Sequence, residues 1–296
     1  DSSLMARFRQ AGFVHFGGTQ TPELGYSPTT ENKLFGPVHN PWNLAHSAGG
    51  SSGSAAASVA AGIVPIAHAS DGGGSIRIPA SCNGLVGLKP SRDRVPFGPD
   101  MADPLCGLAV EFAVTRSVRD AAALLDAVAG ADVGAPGLPV PPPQPFRTLA
   151  ATPPGRLRIA WTTRTTAGDA VHPECTAAVE QTVKLLESLG HVLVEDAPRF
   201  DWETYLERTH IIWTAFTVAF ADALAAATGR QPGPDTLEAV TLACYEDGRR
   251  YSAMDLVNAM AYGNVVSRAG GQVFEGIDVL GSPTLAPPPV PLGEID

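Results

Sequence analysis

Two runs of glycine and serine between residues 47 and 91 constrain this 296-residue chain more than any other feature. The first is Gly49-Gly50-Ser51-Ser52-Gly53, and the second is Asp71-Gly72-Gly73-Gly74-Ser75. Such runs let another backbone or a ligand come close to the main chain. Between them, residues 53–62 are nearly all Ala, Ser and Gly, a composition that favours a helix packed tightly on other backbone. Ile63–Ala67 reads as a buried strand entering the second run, and Gly84–Leu88 as another short strand. Ser75 is followed by Ile-Arg-Ile-Pro79, so it is expected at the start of a short helix, where N–H groups and positive potential gather. A serine oxygen beside three glycine N–H groups is the arrangement of a nucleophile next to an oxyanion hole. The structural alternative is a serine that only caps the helix. Ser51, read alone, belongs to a loop or an anion-binding turn.

Other catalytic patterns fit less well. Gly49-Gly-Ser51-Ser-Gly53 matches the G-x-S-x-G elbow, but that motif needs a buried strand before it. Pro41–Ser47 is polar and proline-broken, which disfavours an α/β-hydrolase with Ser51 as nucleophile. His68 lies three residues before Asp71 and reads as a core histidine rather than a member of a Ser-His-Asp triad. Asp71 and Arg77 bracket the second run, and a turn closed by their ion pair is preferred to a catalytic acid. The other histidines, 15, 39, 46, 172, 191 and 210, form no ligand pair, so no metal is expected. Neither glycine run has the lysine or the spacing of a phosphate loop.

Charge narrows the partners. The net charge is −10 with no Lys/Arg-rich run, so nucleic acid is not expected. Charged residues are only 17%, which favours a large packed interior. No apolar run reaches about 18 unbroken residues, so no membrane span is expected. Residues 1–10 lack signal-peptide character, and a cytoplasmic location is the expectation. Cys82, Cys106, Cys175 and Cys244 are too widely spaced for a zinc knuckle or a disulfide framework.

Along the chain, residues 4–11 read as a helix and 13–16 as a strand. Residues 25–48 read as loop. Residues 116–129 form a helix capped by Ser117, with Leu124, Leu125 and Val128 on one face. Residues 131–155 are a Pro-rich connector. A βαβ unit follows, with strands at 156–161 and 190–195 around a helix at 173–189. Helices are expected over 202–228 and 235–262, and a final strand over 278–282. The aromatic stretch 210–220 reads as core helix, with the wall of an acyl pocket as the lesser alternative. The class is α/β.

The glycine runs resemble the amidase signature family of serine hydrolases. The resemblance rests on residues 49–55, 71–79 and Val86-Gly-Leu-Lys-Pro90, flanked by Asn40-Pro-Trp-Asn43 and residues 116–130. It covers most of residues 1–130 and returns weakly near 278–284. It implies an amidase signature fold, a mixed β-sheet sandwiched between layers of α-helices. On that reading 1–296 is a single domain: signature core 40–130, connector 131–155, βαβ and helical region 156–296. The resemblance implies hydrolysis of linear amide C–N bonds through an acyl-serine, without cofactor or metal. It implies Ser75 as nucleophile, Ser51 as bridging serine after a cis Gly50–Ser51 peptide, and Gly72, Gly73 and Gly74 as oxyanion and substrate-binding donors. Ser54 departs from the glycine that many members carry there. The expected partner is a small-molecule amide, and a homodimer is left open. The resemblance also leaves two alternatives, an amidotransferase A-type subunit supplying ammonia for tRNA-dependent amidation and an inactive truncated member. The triad lysine of the family lies well upstream of the bridging serine. Lys33 sits too near Ser51, Lys89 matches a different element, and Lys184 falls on a helix. Residues 1–296 are therefore expected to be part of a longer protein and not to turn over substrate alone.

Overall fold

A computed structural model describes residues 1–295, which form two compact units, 1–153 with 289–295, and Pro154–Pro288. The first unit opens with α1 (Ser3–Gln10), capped by Ser2, whose Oγ accepts from the N–H of Met5. The strand expected at 13–16 is absent. Val14 and Phe16 are exposed, and without a neighbouring strand their backbone has no ladder to join. The loop-rich region instead holds two small antiparallel pairs: β1 (Glu31–Asn32) with β2 (Gly36–Pro37), and β3 (His39–Asn40) with β4 (Asn43–Ser47). The returning end of the chain meets β4, where the N–H of Ser47 donates to Val290 O.

The small-residue helix is α2 (Gly53–Ala60), which buries Gly53, Ala55, Ala56 and Val59. The apolar strand begins three residues later than expected, as β5 (Ile66–Asp71), and Ile63 is exposed. After the glycine run come α3 (Arg77–Asn83) and β6 (Val86–Gly87). The strand that organises this unit has no counterpart in the sequence reading. It is β7 (Val110–Thr115), central and antiparallel to both β5 and β6. Five of its six residues are buried, and Val110, Phe112 and Val114 alternate with Glu111, Ala113 and Thr115, a period-2 pattern that marks a strand. Next, α4 (Val118–Val128) starts where expected, with Ser117 Oγ accepting from the N–H of Asp120. A further short helix, α5 (Phe146–Ala151), lies inside the expected connector and packs on α4. Phe112, Ile76, Leu124, Val59, Val114 and Val128 fill the core of the unit.

In the second unit, β8 (Arg158–Trp161), α6 (Pro173–Ser188) and β9 (Val192–Glu195) form the expected βαβ crossover with parallel strands. A long helix, α7 (Trp202–Thr228), packs on α8 (Ala239–Gly248) and α9 (Ala253–Val273). The single helix expected over 235–262 is thus two. It breaks before Ser252, which restarts the chain with a capping box to Asp255. By length and composition α7 could cross a membrane, although polar residues such as Thr214, Thr217 and Asp222 interrupt its apolar run. Here it buries Ile211, Ile212, Thr214, Thr217 and Ala221. Finally, β10 (Val279–Gly281) lies parallel to β8, which makes β8 central. The class is α/β, with antiparallel pairing in one unit and parallel pairing in the other.

Candidate active site

Both glycine–serine runs fall in the first unit, each at a junction into a helix. Ser51 lies between β4 and α2, and Ser75 between β5 and α3. Both side chains are enclosed, Ser51 at 4% exposure and Ser75 at 9%. The two junctions are stitched together through Ser52. Its N–H donates to Ser75 O at 3.3 Å, and its hydroxyl meets both the O and the N–H of Ser70. The Gly50–Ser51 peptide bond is cis.

Asp71 closes β5 and organises the second run. Its Oδ1 accepts from the N–H of Gly74 at 2.8 Å, and its Oδ2 from Ile76 at 3.1 Å and Arg77 at 3.4 Å. The guanidinium of Arg77 adds two bonds of 2.9 Å. The carboxylate is completely buried. Burial pushes its pKa up, but the Arg77 hydrogen bonds and charge and the Ile76 and Arg77 N–H groups outweigh it and hold it below the ordinary value. Asp71 is thus the ionised partner in a turn and ion pair, the reading preferred over a catalytic acid. It also provides the cap of α3. Ile76 occupies the N-cap position with no side-chain cap, and no described hydrogen bond engages Ser75 Oγ.

The Gly74 N–H is directed to Asp71 and is not available to a substrate oxygen in this geometry. Gly74 has φ +138, and a Cβ there would stand 2.8 Å from Ile78 Cδ1, so only glycine fits. At Gly50 the limit is close approach: a Cβ would meet Thr29 O at 2.5 Å and Ser27 O at 2.6 Å. Ser51 Oγ lies beside Gly25, where a Cβ would come within 3.3 Å of it.

His68 is not brought to the site. On β5 it is an odd number of positions from Asp71, so the two side chains point to opposite faces. It is 43% exposed with Glu111 Oε1 at 3.8 Å, not a core residue as expected. Lys89 is half-buried. Burial lowers its pKa, Asp71 opposes that shift, and Arg77 and Arg92 reinforce it. Lys33 and Lys184 are exposed. Among the described residues no cluster of His, Cys, Asp or Glu could hold a metal ion.

Several residues outside the glycine runs position them, and of these only Asn40 fell within an element of the family resemblance. Thr30, 0% exposed, touches the first run. Asn40 Nδ2 donates to Ser47 O and Cys82 O, and Asn83 Nδ2 to Ala48 O and Pro79 O, tying the entry of the first run to the end of α3. Their partners are backbone carbonyls up to 42 residues away, which no local pattern reports.

Comparison with known proteins agrees with this architecture. The chain matches the Amidase family over residues 1–296 and belongs to it. It is 39% identical over 295 residues to AmiB2 of Mycobacterium tuberculosis, provisionally named an amidase, covering 99% of this chain and 60% of that protein. It is 45% identical over 194 residues to the 6-aminohexanoate-cyclic-dimer hydrolase of Paenarthrobacter ureafaciens, 64% of this chain and 39% of that protein. The solved structure of a 6-aminohexanoate cyclic dimer hydrolase complexed with substrate matches with a TM-score of 0.95 at 34% identity, covering 99% of this chain and 62% of that one. A bacterial aryl acylamidase of the amidase signature family matches with a TM-score of 0.89 at 29% identity, covering 98% and 60%. The chain therefore spans less than two thirds of the length of AmiB2 and of these two solved structures.

Proposed function

We propose that the protein containing this chain is a serine amidase that cleaves a linear amide C–N bond through an acyl-serine intermediate. The observation that carries this reading is the division of labour at the second run. Asp71 takes the N–H groups that begin α3, so the enclosed Ser75 hydroxyl is not used as a cap. In the proposed reaction Ser75 Oγ attacks the carbonyl carbon. Its proton passes through Ser51 Oγ to a base and returns to the departing amine. Water then attacks the acyl-serine and releases the acid. The N–H groups of Gly72, Gly73 and Ser75 are proposed to hold the oxyanion, with Gly74 setting the turn. One such donor contributes about 3 kcal/mol to lowering the barrier. A serine hydroxyl is a weak nucleophile at neutral pH and needs an adjacent base. That base is not assigned to exposed Lys33 or Lys184, nor to Lys89, whose described electrostatic partners are Asp71, Arg77 and Arg92. It is proposed to be a lysine in the part of the family's length that residues 1–296 do not span. The amide-hydrolysing relatives favour amidase activity over an amidotransferase role.

The test is made in the parent-length protein with a panel of linear amides and a fluorophosphonate probe. Ser75→Ala is expected to abolish both hydrolysis and labelling. Ser51→Ala is expected to slow turnover by roughly 10²-fold or more, the range for groups that move protons in the transition state. Full labelling of Ser75→Ala with loss in Ser51→Ala would transfer the nucleophile to Ser51.

A further inference from the structure

The first run is held by a residue outside it. Thr30 Oγ1 donates to Gly49 O at 2.8 Å, lies 3.3 Å from Ser51 O, and accepts from the N–H of Gly53 at 3.1 Å. One hydroxyl thus brackets the Gly50–Ser51 peptide with a carbonyl contact on either side. It also caps α2, whose own N-cap residue Ser52 makes no side-chain capping bond. Thr30 itself is fixed, because it is 0% exposed and the N–H of Val38 donates to its carbonyl at 2.8 Å. At Gly53 a Cβ would overlap Thr30 Oγ1, so glycine there is what admits the hydroxyl. The carbonyl of the preceding residue, Thr29, stands against Gly50.

We propose that Thr30 is a positioning residue for Ser51: its hydroxyl fixes the 49–53 turn and so the place of the Ser51 oxygen relative to Ser75. It touches no reacting atom, and the inference rests on the amidase reading above. Proton relay through a hydroxyl depends on hydrogen-bond distance, and a misplacement of about 1 Å costs on the order of 10²-fold in rate. Losing the Thr30 hydroxyl leaves a carbonyl and an N–H without their partner in a closed site, so the turn shifts to recover them.

The experiment compares Thr30→Val, which keeps the shape and removes the hydroxyl, with Thr30→Ser, which keeps the hydroxyl. Both are made in the parent-length protein. Thr30→Val is expected to lower kcat by roughly 10- to 100-fold with KM within about twofold of the parent, because transition-state alignment is lost and ground-state binding is not. Thr30→Ser is expected to restore kcat to within about threefold. Residue-resolved hydrogen exchange is expected to show the Gly53 amide losing protection in Thr30→Val alone. A folded Thr30→Val enzyme with parental kcat overturns the proposal. So does a Thr30→Ser enzyme as slow as Thr30→Val, which would show that keeping the hydroxyl does not keep the rate. If the parent neither hydrolyses amides nor takes the probe, the amidase reading fails. In that case unchanged Gly53 exchange in Thr30→Val separately overturns the hydroxyl as the pin of the turn, and lost protection upholds it.

Discussion

At the scale of single residues, Asp71 is what closes the turn that presents Ser75. Five donors converge on a carboxylate without solvent exposure, and three of them are the backbone N–H groups of the turn that presents Ser75. Asp71→Asn keeps the volume but removes the charge and turns an NH2 toward those donors. Because Arg77 is 46% exposed and can return to water, the expected loss is about 2–3 kcal/mol, the upper range for charge-assisted hydrogen bonds. The pH dependence has a definite sign. A carboxylate with a depressed folded pKa contributes stability that is complete above its ordinary value of 3.8 and is lost as pH falls through the lower folded value. The stability gap between parent and Asp71→Asn is therefore expected to be constant from pH 7 to about pH 4 and to close below that. Urea unfolding at a series of pH values measures it. A gap that persists undiminished at pH 2 would mean that the charge of Asp71 is not what holds the turn.

At the scale of elements, close backbone contact recurs away from the site. Gly248 ends α8 against α7, where a Cβ would stand 2.5 Å from Thr214 O and 2.9 Å from Val218 Cγ2. Thr214 itself is buried with its hydroxyl turned back to His210 O, so it offers no slack. Gly248→Ala gains about 1 kcal/mol in helix propensity. It is nevertheless expected to lose about 1–3 kcal/mol net, because overpacking forces the helices apart. Thermal unfolding of the second unit reads this directly. An unchanged or raised Tm would show that the α7–α8 contact can open at no cost. The neighbouring bonds from Tyr245 to Asp222 and from His210 to Asp247 tie the same two helices and should be retained in the variant.

At the scale of the whole molecule, the chain divides at Pro153/Pro154 and again at Pro288/Pro289, so its last residues rejoin the unit that its first residues began. The segment before α5 carries Val133, Leu138 and Val140 exposed among prolines and glycines. Exposed segments of this composition are where proteases cut first. Limited subtilisin digestion is expected to nick the chain between residues 133 and 144 while the circular dichroism spectrum is kept, because the core strands and helices of the first unit lie outside that span. First cleavage inside α2, β5 or α3 would show instead that the glycine runs open more readily than the connector.

Much of this organisation can be read without coordinates because it is local. The glycine runs, the alanine helix α2, the Ser117 cap and the single elements of the βαβ unit each rest on residues close in sequence, where propensity and periodicity act. The same runs marked Ser51 and Ser75 as the candidate pair and carried the family resemblance. What needed the tertiary structure was everything set by distant contact. The strand β7 carries a period-2 signal in Val110, Phe112 and Val114, but its central place is set by pairing with the distant strands β5 and β6. Phe13–Phe16 is rich in β-forming residues yet finds no partner strand, so it stays a loop. His68, read as a core histidine, is instead exposed beside Glu111, on the face of β5 opposite Asp71. The commitment of the Gly74 N–H to Asp71, and of Thr30 to a turn about 20 residues ahead of it, depends on atoms that only folding brings within hydrogen-bond reach.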